Sequence, residues 1–190
     1  MRSRGRSLPE GFTLVEIIIA TGLGAIVLAA VIATNLQLAR SGVRINQYSE
    51  MQGQIRRALD RFGVDARMAT AVKWNSSTDL TLTVPNLGGT TSLVTYAWTG
   101  ATQSFYLVPG ADSTTNSGRV YLVQGVAAQA NGSPGLTFSR FDRDGHVAAD
   151  DPATKRILVS LAVSRQSRSL ATSSENTVVA SFTLRNKAVK

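Results

Sequence analysis

Few side chains in this chain could do chemistry. The single histidine, His146, excludes every motif that needs two, and no G-x-S-x-G, P-loop or dinucleotide fingerprint occurs. A serine triad around His146 would have to be gathered from residues distant in sequence, and the immediate neighbours of His146 are those of a surface turn. Near it lie Asp142, Asp144, Asp150 and Asp151, oxygen donors of the kind calcium prefers. As an EF-hand the segment fails: counting from Asp142, the sixth position is Val147 where glycine is needed, and the twelfth is Ala153 where a bidentate glutamate is needed. An Asp-rich turn accounts for it better, since Asp144-Gly145 is itself a turn signal. The chain has no cysteine, so neither thiolate metal sites nor disulfides are available and an exported domain must hold by packing alone. No enzymatic role, cofactor or metal is expected.

One carboxylate has an unusual setting. Glu16 stands at the front edge of a stretch with no charge from Ile17 to Ala39, interrupted between Ile17 and Ala33 only by Thr21 and two glycines. Seventeen helical residues span about 25 Å, and Phe12, Leu14 and Val15 extend this toward the roughly 20 residues that a bilayer core requires. Carried to mid-bilayer, a carboxylate costs about 2.5 to 3.5 kcal/mol, so Glu16 needs either headgroup water or a partner. Arg2, Arg4 and Arg6 precede the apolar run and would hold its leading end in the cytoplasm. An ordinary secretory signal, cut after Val31-Ile32-Ala33, is a competing explanation. The apolar region is longer than the usual 7 to 15 or so residues of such a signal, and Glu16 interrupts it.

The elements that position these residues follow from periodicity. Beyond the apolar stretch, Ile45, Tyr48, Gln52, Ile55, Leu59, Phe62 and Ala66 recur at three- and four-residue steps with charged residues between them, which predicts one helix from about Phe12 to about Met68. Gly42, Gly53 and Gly63 weaken it, but no proline breaks it. From Asp79 onward the pattern changes to short alternating runs: Leu80 to Val84, Leu93 to Trp98, Ser104 to Val108, Val120 to Val123, Leu136 to Phe141, Ile157 to Ser164 and Thr177 to Leu184. Asn86 to Gly89, Pro109 to Asp112, Asn131 to Gly135 and Asp142 to Pro152 supply the turns. The fold class is α+β: a long N-terminal helix packed on a mostly antiparallel sheet. The expected division is a leader over 1–11, an apolar helix over 12–36, its amphipathic continuation over 37–70 and a β-rich head over 71–190.

Against this background Gly11-Phe12-Thr13-Leu14-Val15-Glu16 resembles the processing motif of type IV prepilins and the related pseudopilins. The likeness comprises the short basic leader, Gly11 before the cut, aromatic Phe12 after it, Glu16 at the fifth mature position and the apolar helix that follows. It implies that a membrane-embedded prepilin peptidase cuts between Gly11 and Phe12 and N-methylates Phe12. Glu16 would pair with the N-terminal amine of an adjacent subunit, setting register during filament assembly. The implied location is the bacterial inner membrane, with the N-terminus cytoplasmic and the head periplasmic, and then the filament. The implied partners are other pilin or pseudopilin subunits, prepilin peptidase, the inner membrane and assembly platform proteins. More loosely, Gly135-Leu136-Thr137-Phe138 leading to Phe141-Asp142-Arg143-Asp144-Gly145, and the ending Phe182-Thr183-Leu184-Arg185-Asn186, resemble minor pilins of the W type and J-type pseudopilins. Many major pilins carry paired C-terminal cysteines that this chain lacks, which favours a minor pilin or pseudopilin.

Other features stay open at this point. Ala25, Ala29 and Ala33, with Gly22 and Gly24 nearby, would let helices approach closely, or are simply good apolar helix formers. Trp74, Trp98, Tyr96, Phe105, Tyr106 and Tyr121 could, with arginines, form a platform for single-stranded DNA, but their strand positions suit a core better. Calcium is bound by some related pseudopilins, which keeps the aspartate cluster in view. Of the net charge of +8, the leader arginines serve topology; without residues 1–11, which hold three Arg and Glu10, the chain keeps +6, which suits an acidic partner or a membrane surface, although solvated surface charge explains it more simply. A secreted or membrane-anchored periplasmic binding domain is the alternative of another class.

Overall fold

The computed structural model describes residues 11–86, 88–129, 132–166 and 173–188. The expected leader over 1–11 lies outside the described residues except for Gly11, as do Leu87 and Asn131 of the expected turns. Helix α1 runs from Leu14 to Met68 and is followed by eight strands: β1 Ala71–Ser76, β2 Asp79–Pro85, β3 Thr91–Thr99, β4 Ser104–Pro109, β5 Val120–Gln124, β6 Leu136–Phe141, β7 Arg156–Gln166 and β8 Ser173–Thr183. The fold is α+β, as its sequence predicts. The chain forms two compact units that meet between Ile45 and Asn46.

In the first unit, the helix from Leu14 onward buries none of its apolar side chains; Ile18, Leu23, Ile26 and Leu28 are all exposed. It is long and apolar enough to cross a membrane. Its hydroxyls turn back onto its own backbone: Thr21 donates to the Ile17 carbonyl at 2.8 Å, Thr34 to Ala30 at 2.9 Å and Ser41 to Gln37 at 3.0 Å. These polar groups are therefore satisfied without water, as an apolar solvent demands.

In the second unit, Met51, Ile55, Ala58, Phe62 and Ala66 form the buried stripe of α1. The sequence placed Ile45 and Tyr48 on this stripe, but both are exposed. The covered stretch of the helix begins only at Met51, and Ala58 rather than Leu59 takes the fully buried position. Phe62 sits at the centre, with its ring 4.9 Å from Tyr96, 5.8 Å from Phe138 and 5.1 Å from Phe182. Such contacts add about 0.5 to 1.5 kcal/mol each beyond the area they bury. Phe182 lies so close to Gly63 that a Cβ there would come within 2.7 Å of the ring, so glycine lets β8 approach the helix.

The strands form two antiparallel sheets rather than one, each in sequential order: β1-β2-β3-β4-β5 and β6-β7-β8. Strand β1 is absent from the sequence reading. It is an edge strand in which only Val72 is buried, so Ala71-Val72-Lys73-Trp74 shows no alternation strong enough to betray it. Backbone bonds join the two sheets: the Phe138 amide donates to the Ser77 carbonyl at 2.6 Å and the Ser164 amide to Gly125 at 2.8 Å. Alternation along β2 puts Leu80, Leu82 and Val84 into the core under α1, and places Thr81 on the other face of the sheet, where it shares a 2.8 Å hydrogen bond with Thr95.

The loop from Gly110 to Arg119 covers that second face, where Ala97, Tyr106 and Val108 form a small cluster. Arg119 Nη2 donates to the carbonyls of Ser113, Thr114 and Thr115 at 3.0, 3.1 and 3.1 Å, and its guanidinium lies 4.3 Å from the Tyr106 ring centroid. The loop is thus wrapped around a positive charge supplied by its own end.

Candidate functional site

Gly11 and Phe12 precede α1 and have no regular secondary structure. Both are exposed, Phe12 to 84%. Thr13 is the N-cap, and Glu16 occupies the third position of the first turn. The Thr13 amide donates to Glu16 Oε2 at 2.9 Å, the Thr13 hydroxyl donates to the same oxygen at 3.0 Å, and the Glu16 amide donates back to Thr13 Oγ1 at 3.3 Å. This is a capping box: it satisfies amides that have no partner within the helix and puts a negative charge at its positive end.

The sequence reading missed Thr13, although the signal was present. Thr-x-x-Glu ahead of an apolar run is the capping-box pattern, and Thr13-Leu14-Val15-Glu16 carries it. The consequence for Glu16 is direct. Before any second chain is involved, the carboxylate has a local partner through Oε2, while Oε1 makes no hydrogen bond among the described residues. Glu16 can thus hold its own helix start and still offer one oxygen to a cation. Farther along, Gly22 and Gly24 have nothing within 4 Å of where a Cβ would stand, so no packing contact among the described residues calls for glycine at either.

Three of the four aspartate carboxylates, those of Asp142, Asp150 and Asp151, do separate structural work, and Asp144 takes part through its backbone amide. Asp142 Oδ1 accepts the amides of Asp144, Gly145 and His146 at 2.9, 2.7 and 2.9 Å. Burial works to raise the Asp142 carboxyl, but these three donors outweigh it and hold the group below the usual carboxylate range. Asp150 Oδ1 accepts the Ala153 amide at 2.8 Å. Asp151 pairs with Arg140 at 2.9 Å and accepts the Trp74 amide at 3.1 Å, tying edge strand β1 to the other sheet. Among the described residues no three acidic or histidine side chains gather as a metal would require. His146 is exposed in the turn, with Nδ1 3.6 Å from Asp142 Oδ2.

Among the aromatic residues, Tyr96 and Phe105 are fully buried, Tyr106 is nearly so, Trp74 and Trp98 pack partly buried against the core, and Tyr121 is exposed. Sequence reasoning also passed over Asp65. This carboxylate lies on the buried stripe, where it accepts the Tyr96 hydroxyl at 2.6 Å and meets Arg61 Nε at 3.3 Å. Its place between Phe62 and Ala66 on the apolar face was the available signal.

Fold and site define an α+β protein whose N-terminal helix is long and apolar enough to cross a membrane and starts at a capped, exposed Gly-Phe junction. No protein-family model, curated protein or solved structure matches the chain.

Proposed function

We propose that this chain is a type IV pilin-like structural subunit, a minor pilin or pseudopilin that is clipped by prepilin peptidase and assembled into a pilus-like filament or its initiation or tip complex. One observation carries the reading: the Gly11-Phe12-Thr13-Leu14-Val15-Glu16 motif lies at the exposed start of a helix whose apolar side chains are themselves exposed. The apolar surface of that helix calls for lipid or other helices as its surroundings.

In this reading the peptidase cuts the exposed bond between Gly11 and Phe12 at the cytoplasmic face, and Phe12 becomes the methylated N-terminus. The protein sits in the bacterial inner membrane by residues 12 to about 36 with its β-rich unit outside the cytoplasm. During assembly the amine of an adjacent subunit meets Glu16 through the oxygen that Thr13 leaves open. In a low-dielectric helix bundle such a pair is strongly distance-dependent, so it fixes register more than it adds stability. The work is mechanical rather than enzymatic.

A J-type pseudopilin of a type II secretion system keeps this fold and changes the machine. The segments that resemble that group are placed as structural parts here: Leu136 to Phe141 is β6, Asp142 to Gly145 its capped turn, and Leu184 to Asn186 the end that returns to α1, with Asn186 Nδ2 3.3 Å from the Met68 carbonyl.

The test is intact-mass and N-terminal peptide analysis of protein purified from membranes with and without prepilin peptidase. A chain beginning at methylated Phe12 only when the peptidase is present is the expected result. A mature start near Thr34, or an uncut chain in both cases, overturns the filament reading in favour of a secreted or anchored binding domain.

A further inference from the structure

We infer that Arg40 and Arg44 form a binding surface for anionic phospholipid headgroups in the leaflet farther from the N-terminus. The inference rests on the membrane-spanning reading of residues 12 to about 36. After Glu16 the next charged residues are Arg40 and Arg44, and no acidic residue follows until Glu50. All of this segment is α-helix, so Glu16 and Arg40 are separated by 24 residues, or about 36 Å. A bilayer has a hydrocarbon core of about 30 Å and measures about 40 to 45 Å with its headgroups. When Glu16 lies at one headgroup level, Arg40 therefore reaches the other, and Arg44 follows one turn farther out. The two arginines are four positions apart and share one helix face.

Both side chains are exposed, and neither forms an ion pair among the described residues. A guanidinium offers a planar fork of donors that matches phosphate oxygens, while its stem can lie along the acyl chains. Cleavage sharpens the asymmetry. Removal of residues 1–11 takes Arg2, Arg4 and Arg6 from the near side. Glu16 then offsets the new amine, and the far-side pair becomes the dominant charge flanking the span. A basic residue at an anionic surface gains about fivefold in association, so the pair gives roughly thirtyfold, with strong dependence on salt.

The absence of native cysteine makes the test clean. The full chain carrying Ser41→Cys, labelled with a donor fluorophore, is reconstituted in vesicles of zwitterionic lipid with about one fifth phosphatidylglycerol. Energy transfer is compared for acceptor-labelled phosphatidylglycerol and acceptor-labelled phosphatidylcholine at equal mole fraction. Greater transfer to phosphatidylglycerol, abolished by R40Q/R44Q and by high salt but kept in R56Q/R57Q, is the expected result. Equal transfer to both lipids, or a preference that survives R40Q/R44Q, overturns the inference. A preference that appears only when a second, acidic protein is added transfers the surface to a protein partner and overturns it as well. Carbonate extraction of the same vesicles separates the two levels: a chain released by carbonate refutes the membrane-spanning reading itself, whereas a retained chain without lipid preference refutes only the headgroup site.

Discussion

Replacing Tyr96 by Phe removes one oxygen atom from the centre of the second unit and tests how the buried Asp65 is held. The Tyr96 ring is fully buried and Asp65 is 5% exposed, so water cannot easily take the place of their 2.6 Å hydrogen bond. A hydrogen bond to a charged group contributes about 1.5 to 3 kcal/mol, and Y96F leaves the ring packing intact, so the loss in unfolding free energy should fall in that range. The same contact predicts a pH signature. Burial, reinforced by the hydrogen bond to Asp65 and its charge, raises the Tyr96 phenol above its ordinary value. An unfolded tyrosine releases its proton near pH 10 or so while the folded one keeps it. Above that point the unfolded state binds fewer protons, and stability must fall as pH rises, by up to about 1.4 kcal/mol per pH unit from this group. Below it the contribution is fully present. Urea unfolding of the full chain in detergent, followed by the fluorescence of Trp74 and Trp98, reads both effects, since both tryptophans lie in the second unit. Y96F should be less stable at pH 7 and lose the tyrosine share of the alkaline slope. Equal stability of the two proteins at pH 7, with identical slopes above pH 10, would refute the reasoning.

Two further perturbations probe other parts of the fold. Gly63→Ala puts a methyl group within 2.7 Å of Phe182 and should cost about 1 to 3 kcal/mol in the same unfolding assay, with partial recovery in G63A/F182L; an undiminished midpoint for G63A would show that β8 yields freely. Asp142→Ala removes the shared acceptor of three amides, so hydrogen exchange at Asp144, Gly145 and His146 should accelerate. Because the folded carboxyl is held below its unfolded value, the parent turn should keep its protection above the ordinary carboxylate range and lose it as pH falls through the lowered value. Unchanged exchange in D142A refutes the role of that carboxylate.

The parts of the fold legible in sequence are those where one periodicity dominates. The helix end at Met68 and strands such as Leu136 to Phe141 follow from runs whose apolar spacing matches one geometry throughout. Strand β1 was invisible because an edge strand with one buried residue has no pattern to display. Ile45 and Tyr48 continue the apolar period of the helix past the point where the chain covers it, so periodicity alone set the start of the buried stripe too early. The split into two sheets depends on pairing partners far apart in sequence, which local alternation does not encode. At the start of the apolar helix, Gly11, Phe12 and Glu16 stood out through residue type and spacing. Thr13 was legible too, through the Thr-x-x-Glu spacing of a capping box, and its hydrogen bonds with Glu16 show that spacing at work.

The loop wrapped around Arg119 has a consequence for the chemical durability of the second unit. Converging carbonyl oxygens are a common way to hold a metal cation; in this loop the positive charge they meet is covalently part of the chain. A tethered cation cannot be lost by dilution, stripped by a chelator or exchanged for a competing ion. Nor is there a disulfide for a reductant to open. Chelators, competing metal ions and reductants therefore find nothing to remove from residues 110–119, which are held by the guanidinium, its contact with the Tyr106 ring and the Asp112 carboxylate that accepts the Thr114 amide and hydroxyl.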